Sequence, residues 1–229
     1  MHNARLDQDM IMHELLPTTL PNDPLQLFTE WFAYARARSL QPNPDCMVLA
    51  SVGADERPSA RVVLCKRIAA EGYVVFFTNY RSRKGQELGA HPRAAAVFHW
   101  DALHRQVRIE GRIVRSPDEE SDAYFESRAL DSRIGAWASE QSAPLDARSV
   151  LEERVQEVAH RFGIAPGAQD ATVPRPPHWG GFRLWIEAIE LWIEGANRVH
   201  DRAVWTRELQ PRDEYSFAPG EWAATRLYP

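Results

Sequence analysis

The sequence contains little cysteine and no long apolar run. Two cysteines, Cys46 and Cys65, cannot form a disulfide framework in a chain of 229 residues, which favours a reducing, cytoplasmic environment. No stretch approaches the run of about eighteen apolar residues that a membrane-spanning helix needs. The first residues also lack the basic and apolar segments of a secretory signal. We therefore expect a protein that is neither secreted nor embedded in a membrane.

The fingerprints of common nucleotide and metal sites are missing as well. The chain has neither G-x-G-x-x-G nor G-x-x-x-x-G-K-[ST], so the Rossmann and P-loop folds lack their phosphate-binding signatures. No group of His, Cys and Asp has the spacing of a zinc site, and we expect no metal. The formal net charge of −5 gives no global basic field for nucleic acid, so any basic cluster acts locally.

The composition that remains is that of a globular protein, with 44% hydrophobic residues and eight tryptophans. Residues 1–23 show no sustained period and are expected to form a flexible arm, followed by a single domain over 24–229. A helix is predicted from Pro24 to Ser39, because its apolar residues recur at the helical period. Further helices are expected near 117–130 and at 148–162.

Short apolar runs separated by turn signals predict strands through the rest of the chain. These runs read CMVLASV, ARVVLCK, YVVFFTN, AAAVFHW, RQVRIEGRIV, FRLWIEAIELW, RVHDRAVWTR and EWAATRLY. Strands joined by short turns, with helices gathered around them, do not alternate as βαβ units. The pattern predicts the α+β class, with a mostly antiparallel barrel and flanking helices.

Three cations surround one predicted helix start. Ser82 offers the hydroxyl of a helix N-cap, yet Arg81, Arg83 and Lys84 crowd a terminus that already carries about half a positive charge. A phosphate bound at this terminus would account for them. The alternative is that all three side chains point into solvent, and this segment alone does not decide between the two.

Two further clusters carry groups that suit anions, although ordinary surface charge explains each of them better. Arg61 and Lys66 flank RVVLCK, but their odd spacing places them on opposite faces of a regular strand. Tyr124, Arg128 and Ser132 recur every four residues and would share one face of a helix and its end. Taken alone, both clusters are better interpreted as ordinary charged side chains than as ligand-binding groups.

A fourth cluster favours function. Arg198, His200 and Arg202 alternate within RVHDR, so a strand would direct all three to one side. Such a row of cationic groups is costly unless an anionic or electron-rich group lies between them. A packed, hydrogen-bonded His200 with arginines at the rim is the alternative.

Taken in order, these segments resemble the pyridoxamine 5′-phosphate oxidase family of homodimeric FMN enzymes with a split β-barrel. The resemblance runs from about Pro24 to Pro229 and rests on RVVLCK, FFTNYRSRKG, RQVRIEG, YFESRALDSRIGAWASEQS, WGGFR, RVHDR and RLYP. It implies oxidation of pyridoxamine or pyridoxine 5′-phosphate to pyridoxal 5′-phosphate. Hydride would pass to the flavin, and O2 would be reduced to H2O2.

The resemblance also assigns site residues, and both subunits are implied to contribute to each site. The implied FMN site consists of Arg61, Val62, Val63, Leu64, Cys65, Lys66, Phe77, Thr78, Arg83, Lys84, Gln106, Gln141, Ser142, Trp192 and Arg202. The implied substrate site consists of Lys66, Tyr124, Arg128, Ser132, Arg198, Val199 and His200. Within it, Arg198 and His200 would hold the pyridine ring against the flavin.

Two alternative functions remain open from the sequence. Related split-barrel flavin oxidases act on other reduced rings, including phenazine precursors. The segment before residue 24 offers Arg5 but no Tyr, whereas the family usually brings both over the substrate. A split-barrel protein that binds flavin or haem without turnover would instead be a carrier or sensor. The presence of Tyr124, Arg128 and Ser132, which the resemblance assigns to the substrate phosphate, favours the phosphorylated vitamin B6 substrate.

Overall fold

The computed structural model describes residues 15–38, 41–165, 167–168 and 171–229. Its helices are α1 (Leu25–Arg38), α2 (Arg83–Ala90), α3 (Asp118–Glu126), α4 (Leu130–Ala138) and α5 (Arg148–Arg161). Its strands are β1 (Cys46–Val52), β2 (Pro58–Leu64), β3 (Arg67–Ala69), β4 (Tyr73–Asn79), β5 (Arg93–Trp100), β6 (Arg105–Arg115), β7 (Trp179–Ile193), β8 (Asp201–Thr206), β9 (Leu209–Pro211), β10 (Phe217–Pro219) and β11 (Ala223–Leu227). Within these ranges no helix has the length and apolar character needed to cross a membrane. The predicted α+β class is confirmed.

The main sheet is antiparallel and runs in the order β11-β8-β7-β6-β5-β1-β2. Its longest strand, β7, pairs with β6 along one edge. Along the other edge, the first half of β7 pairs with β4 and the second half pairs with β8. β7 therefore belongs to both parts of the sheet.

The two halves of β7 meet at a β-bulge. The register between β6 and β7 shifts between Glu110 and Gly111, and Glu187 is passed over in the pairing. A Cβ atom at Gly111 would lie 1.8 Å from the carbonyl oxygen of Trp185. Only glycine permits this close approach of two backbones, so Gly111 fixes the position of the bulge.

Helix α1 covers one face of the sheet with aromatic side chains. Phe28, Trp31 and Phe32 are buried, as the helical period predicts. The ring of Phe28 lies 5.2 Å from that of Phe98, and the ring of Phe32 lies 6.4 Å from that of Trp100. These edge-on contacts form the centre of the hydrophobic core.

The helix predicted near 117–130 corresponds to α3 alone, and α4 was not predicted. α3 ends at Glu126 and α4 begins at Leu130. Tyr124 therefore lies in α3, Arg128 lies in the connection, and Ser132 lies in the first turn of α4. The expectation that these three residues share one helical face is wrong, because the chain changes direction at Arg128.

The strand predicted from residue 198 begins only at Asp201. Residues 196–198 form a short 3-10 turn, in which Asn197 and Arg198 have positive φ angles of 56° and 67°. The backbone N–H of His200 donates to the carbonyl oxygen of Arg198. The prediction that Arg198, His200 and Arg202 alternate along one strand is therefore wrong, and only Arg202 lies in β8.

Residues 15–23, the described part of the expected arm, lie against the sheet. Leu16 is buried, and its N–H donates to Asp201 Oδ2 at 2.7 Å. Trp205 Nε1 donates to the carbonyl oxygen of Pro21 at 2.8 Å. Residues 1–14 of the arm lie outside the described residues, so a flexible arm over 1–23 stays a prediction.

Candidate functional site

Helix α2 begins at the predicted position. The N–H of Gly85 donates to Ser82 Oγ at 3.3 Å, which confirms Ser82 as the N-cap. A Cβ atom at Gly85 would lie 2.3 Å from the carbonyl oxygen of Tyr80, so glycine lets the helix pack directly against the preceding turn. The start of α2 is thereby held beside Thr78, near the end of β4.

Lys84 points into the protein at this helix start. It is only 9% exposed, and its Nζ donates to Thr78 Oγ1 at 3.1 Å, to Ser82 Oγ at 3.3 Å and to Gln141 Oε1 at 3.5 Å. Burial lowers the pKa of Lys84, with a smaller contribution from nearby Arg61. A buried ammonium group bonded to neutral oxygens is costly, so the arrangement suits an anionic ligand.

Arg61 and Arg83 both bind Glu87, one turn further along α2. Arg61 Nη2 lies 2.9 Å from Glu87 Oε2, and Arg83 Nε lies 2.8 Å from Glu87 Oε1. Ser51 and Ser59 donate to the same carboxylate at 2.5 and 2.7 Å. Burial opposes ionisation of Glu87, but these hydrogen bonds outweigh it and lower its pKa to about 2. The carboxylate therefore offsets part of the positive charge at the helix start.

The RVVLCK segment does not behave as one regular strand. β2 ends at Leu64, so Lys66 lies beyond it and the argument from strand alternation does not apply. Lys66 Nζ pairs with Asp45 Oδ2 at 3.1 Å, while its N–H donates to the carbonyl oxygen of Val75 in β4. Lys66 is therefore held beside β4, whereas Arg61 faces α2.

The four residues between Arg61 and Lys66 differ in solvent exposure. Val62 is 62% exposed and Leu64 is also exposed, but Val63 packs against the core. Cys65 is buried, and burial raises the pKa of its thiol to about 12. Any contact from Cys65 to a ligand would come from its backbone.

Three aromatic rings stack beside the start of β7. The ring of Phe77 lies 4.0 Å from that of Tyr124, with 14° between their planes. It also lies 5.6 Å from the ring of Trp179, at 9°. This stack connects β4, α3 and β7, and it joins a residue assigned to the cofactor with one assigned to the substrate.

Arg128 packs against this stack. Its Cζ lies 4.6 Å from the ring centroid of Trp179 and 5.6 Å from that of Phe125. Within the described part of the chain its buried Nη1 atom has no hydrogen-bond partner. Burial lowers the pKa of this guanidinium. An unsatisfied buried cationic donor is the second feature that suits an anion.

A different set of assigned residues lies at the far end of β7. Gln106, Trp192 and Arg202 are paired neighbours across β6, β7 and β8, so their side chains share one sheet face. The ring of His200 lies 4.7 Å from that of Trp192. Arg202 Nε donates to Glu190 Oε1 at 2.8 Å.

The turn before β8 completes this set. Arg198 and Val199 are exposed, and the N–H of Gly195 donates to His200 Nδ1 at 3.2 Å. A Cβ atom at Gly195 would lie 1.6 Å from the carbonyl oxygen of Val199. The tight turn therefore orients His200 toward Trp192 and leaves Arg198 accessible.

The structure thus places these residues in two groups, one near each end of β7. The α2 group consists of Phe77, Thr78, Arg83, Lys84, Tyr124, Arg128 and Gln141, and the β8 group consists of Gln106, Trp192, Arg198, His200 and Arg202. Within the α2 group, Lys84 and Gln141 contact Thr78, whereas Tyr124 contacts Phe77, whose side chain lies on the opposite face of β4. Thr78 pairs with Gly180, and Trp192 lies twelve residues later on the same strand. At about 3.3 Å per residue the two groups are roughly 40 Å apart along β7.

The sequence predicts that Glu87 offsets part of the positive charge at this helix start, and its ion pairs with Arg61 and Arg83 agree with that. Sequence reasoning missed Trp179, which begins WGGFR but whose stacking partners come from distant elements. Ser132 and Ser142 are both exposed, and Ser142 has a positive φ of 75°.

Two family models match the chain in succession. Residues 35–162 match the model described as pyridoxamine 5′-phosphate oxidase. Residues 179–229 match the model described as the pyridoxine 5′-phosphate oxidase C-terminal dimerisation region. Together they cover every residue of the α2 group and of the β8 group.

Individual relatives are similar in sequence to this chain over most of its length. The chain is 53% identical over 207 residues to the pyridoxine/pyridoxamine 5′-phosphate oxidase of Burkholderia orbicola (strain MC0-3), covering 90% of this chain and 89% of that protein. It is 51% identical over 226 residues to the protein of the same description from Burkholderia lata, covering 99% and 94%.

Solved structures support the split-barrel fold. PhzG from Burkholderia lata 383 in complex with tetrahydrophenazine-1-carboxylic acid superposes with a TM-score of 0.77 at 30% identity, covering 91% of this chain and 94% of that one. A pyridoxamine 5′-phosphate oxidase-related, FMN binding protein from Nostoc punctiforme gives a TM-score of 0.65 at 14% identity, covering 93% and 100%. The second likeness concerns the fold alone.

Proposed function

Because the chain belongs to the pyridoxamine 5′-phosphate oxidase family, we propose that it oxidises pyridoxamine or pyridoxine 5′-phosphate to pyridoxal 5′-phosphate with FMN. The observation that carries the proposal is Lys84. Its ammonium group is buried at a helix N-terminus and bonded to Thr78, Ser82 and Gln141, whose oxygens are neutral. The phosphate of FMN would supply the missing negative charge.

The α2 group fits the phosphate end of FMN. The free N–H groups at the start of α2, the Lys84 ammonium and the outer nitrogens of Arg83 would bind phosphate oxygens together. Arg83 is fixed through its Nε by Glu87, which leaves its two Nη groups for the ligand. Arg61 is engaged by Leu49, Ser51, Ser59 and Glu87, so its contribution would come through the charge it adds.

A second phosphate, that of the substrate, would bind at Arg128. The buried Nη1 atom that lacks a partner among the described residues would donate to it. Tyr124 and Ser132 offer hydroxyl groups on either side of Arg128 in the chain. Lys66, held beside β4, would add a further positive charge. These contacts select a phosphorylated substrate over its unphosphorylated form.

We propose a homodimer with two sites at its interface. FMN is far shorter than the roughly 40 Å of strand between the two groups along β7, which favours contributions from two subunits to one cofactor. The α2 group of one subunit and the β8 group of its partner would form each site. Val48 and Val62, register partners on β1 and β2, are 43% and 62% exposed and offer an apolar surface for such an interface.

The residues of the chain would bind and orient the reactants. Bound FMN would supply the redox chemistry, which is hydride acceptance from C4′ of the substrate and reoxidation by O2 with release of H2O2. Arg198 and His200 would hold the pyridine ring in line with the flavin. Accurate alignment of the reacting atoms is the main contribution that the protein makes.

An anaerobic titration tests this function. The purified yellow protein should bleach when pyridoxine 5′-phosphate is added without oxygen, and admission of air should restore the colour and release peroxide. Bleaching by a reduced phenazine precursor alone would favour the second candidate, which the 30% identity to PhzG supports. Persistent yellow colour with both compounds would indicate a flavin carrier instead.

A further inference from the structure

We infer that Trp179 is a positioning residue for Arg128 and thereby sets the selectivity for phosphorylated over unphosphorylated substrates. The inference rests on the proposed function, because it takes Arg128 as the ligand of the substrate phosphate. Trp179 is absent from the residues that sequence resemblance assigns to either site. Its role follows from where its indole lies.

The indole of Trp179 is fixed from several sides. It is 7% exposed and lies 6.2 Å from the ring of Tyr124, with 6° between their planes. The ring of Phe125 meets it edge-on at 5.1 Å. Its backbone is fixed as well, since its N–H donates to the carbonyl oxygen of Pro176 and its own carbonyl oxygen accepts from Arg175.

Arg128 rests on this fixed surface. Its guanidinium carbon lies 4.6 Å from the centroid of the Trp179 ring, within the range of a cation–π contact, and tryptophan is the strongest aromatic partner for a cation. Arg128 itself lies in the connection between α3 and α4, where its backbone N–H donates to the carbonyl oxygen of Phe125 at 3.2 Å. Of the two rings that contact the guanidinium, the indole is the nearer, so it holds the guanidinium in place.

This arrangement prepares Arg128 for an anion. Its Nη1 atom is buried and unpartnered within the described residues, so this nitrogen is already removed from solvent before a phosphate arrives. A flexible arginine would lose rotamer freedom on binding, whereas one already held against a ring loses less. Removing the indole should therefore weaken binding of the phosphate and spare contacts to the pyridine ring.

A graded series in the FMN-loaded protein tests the inference. Wild type, Trp179→Phe and Trp179→Leu are compared for KM and kcat with pyridoxine 5′-phosphate and with pyridoxine. Binding of pyridoxal 5′-phosphate and of pyridoxal to the oxidised holoenzyme is measured by calorimetry. We expect Trp179→Leu to raise KM and Kd for the phosphorylated compounds about tenfold, with a smaller rise in Trp179→Phe. The unphosphorylated compounds and kcat should change little.

A role in packing alone gives a different result. The melting temperature would fall, and phosphorylated and unphosphorylated compounds would lose affinity equally, which would overturn the inference. If Trp179→Leu does not fold, the comparison of wild type with Trp179→Phe decides, since unchanged selectivity in that variant also overturns it.

Arg128→Ala separates this inference from the proposed function. If Arg128→Ala binds both classes of compound as wild type does, the substrate-phosphate assignment fails, and the inference fails with it. If Arg128→Ala loses selectivity while the Trp179 series keeps it, the assignment stands and only the inference about Trp179 is wrong.

Discussion

Thr78 and Trp192 lie near opposite ends of the same strand, β7, one as a neighbour of its first half and the other as a member of its second half. Thr78 pairs with Gly180 near the beginning of β7, and Trp192 pairs with Arg202 near its end. Both residues belong to the FMN site that family resemblance implies. Their separation along β7 favours a site formed by two subunits, with their β7 strands in reciprocal positions.

A site formed by two subunits predicts complementation between two inactive variants. Lys84→Ala damages the α2 group and Arg202→Ala damages the β8 group. In a mixed dimer, one site receives both damaged groups and the other receives two intact groups. Random mixing should therefore restore about a quarter of wild-type activity per dimer. The two variants are co-expressed with different tags, and activity is measured before and after purification of the mixed dimer. Absence of rescue in isolated mixed dimers would argue for sites within single subunits.

Lys84→Ala should by itself weaken FMN binding and leave the fold intact. The substitution removes a buried charge that would pair with the phosphate, and charge-assisted contacts are the strong ones. Loss of the ammonium should raise the Kd for FMN at least tenfold, or by about 1.4 kcal/mol, as measured by flavin fluorescence quenching. Arg81→Ala is the matched control, because Arg81 is exposed in the same segment and should matter less. Equal FMN affinity in Lys84→Ala and wild type would show that the FMN phosphate does not bind at this helix start.

Arg198→Ala should lower kcat/KM strongly while the protein still purifies yellow. Arg198 is exposed in the turn before β8 and is assigned to the substrate ring, and misalignment of reacting atoms can cost on the order of 100-fold in rate. His200→Asn should be milder, since an amide oxygen can still accept from the N–H of Gly195. Stopped-flow flavin reduction and a melting curve are measured together, with Arg212→Ala as a control at an exposed arginine. Flavin reduction at the normal rate in Arg198→Ala would show that the assignment of Arg198 to the substrate ring is wrong.

Glu87 predicts how stability changes with acid. The pKa of Glu87 in the folded protein is about 2, below its usual value. The ionised carboxylate therefore stabilises the folded protein at neutral pH. This stabilisation is lost as the pH falls from about 4.5 toward 2. A depression of this size corresponds to on the order of 3 kcal/mol. Glu87→Gln should therefore be less stable than wild type at pH 7, and the difference should shrink in this acid range. Urea denaturation at several pH values measures it; a difference that stays constant down to pH 2 would contradict the assignment.

Regular elements could be predicted because their periods are local. The apolar spacing of α1 and the hydroxyl of Ser82 gave the correct helix and N-cap, and the strand runs gave the α+β class. The turn at Asn197 and Arg198 could not be predicted in this way. A non-glycine residue at positive φ is uncommon, and here two such residues lie in a turn that brings Gly195 against Val199.

The site was predictable in its chemistry more than in its geometry. The break at Arg128 carries neither glycine nor proline, so the helical period appeared to continue through it. The direction of Lys84 depended on Thr78 and Gln141, which are distant in sequence. The role inferred for Trp179 depends on rings from β4 and α3 that only the folded chain brings together.

Because the bulge at Gly111 and Glu187 fixes the register of β7, the number of residues between Gly180 and Trp192 determines where the Trp192 side chain lies. Side chains alternate along a strand, so one residue inserted between Gly180 and Trp192 would turn the indole to the opposite face of the sheet. Two inserted residues would restore the face but lengthen the strand by about 6.6 Å. In the proposed dimer that displacement would separate the flavin ring from its phosphate site. Substitutions along β7 can therefore be neutral where insertions and deletions of any length cannot.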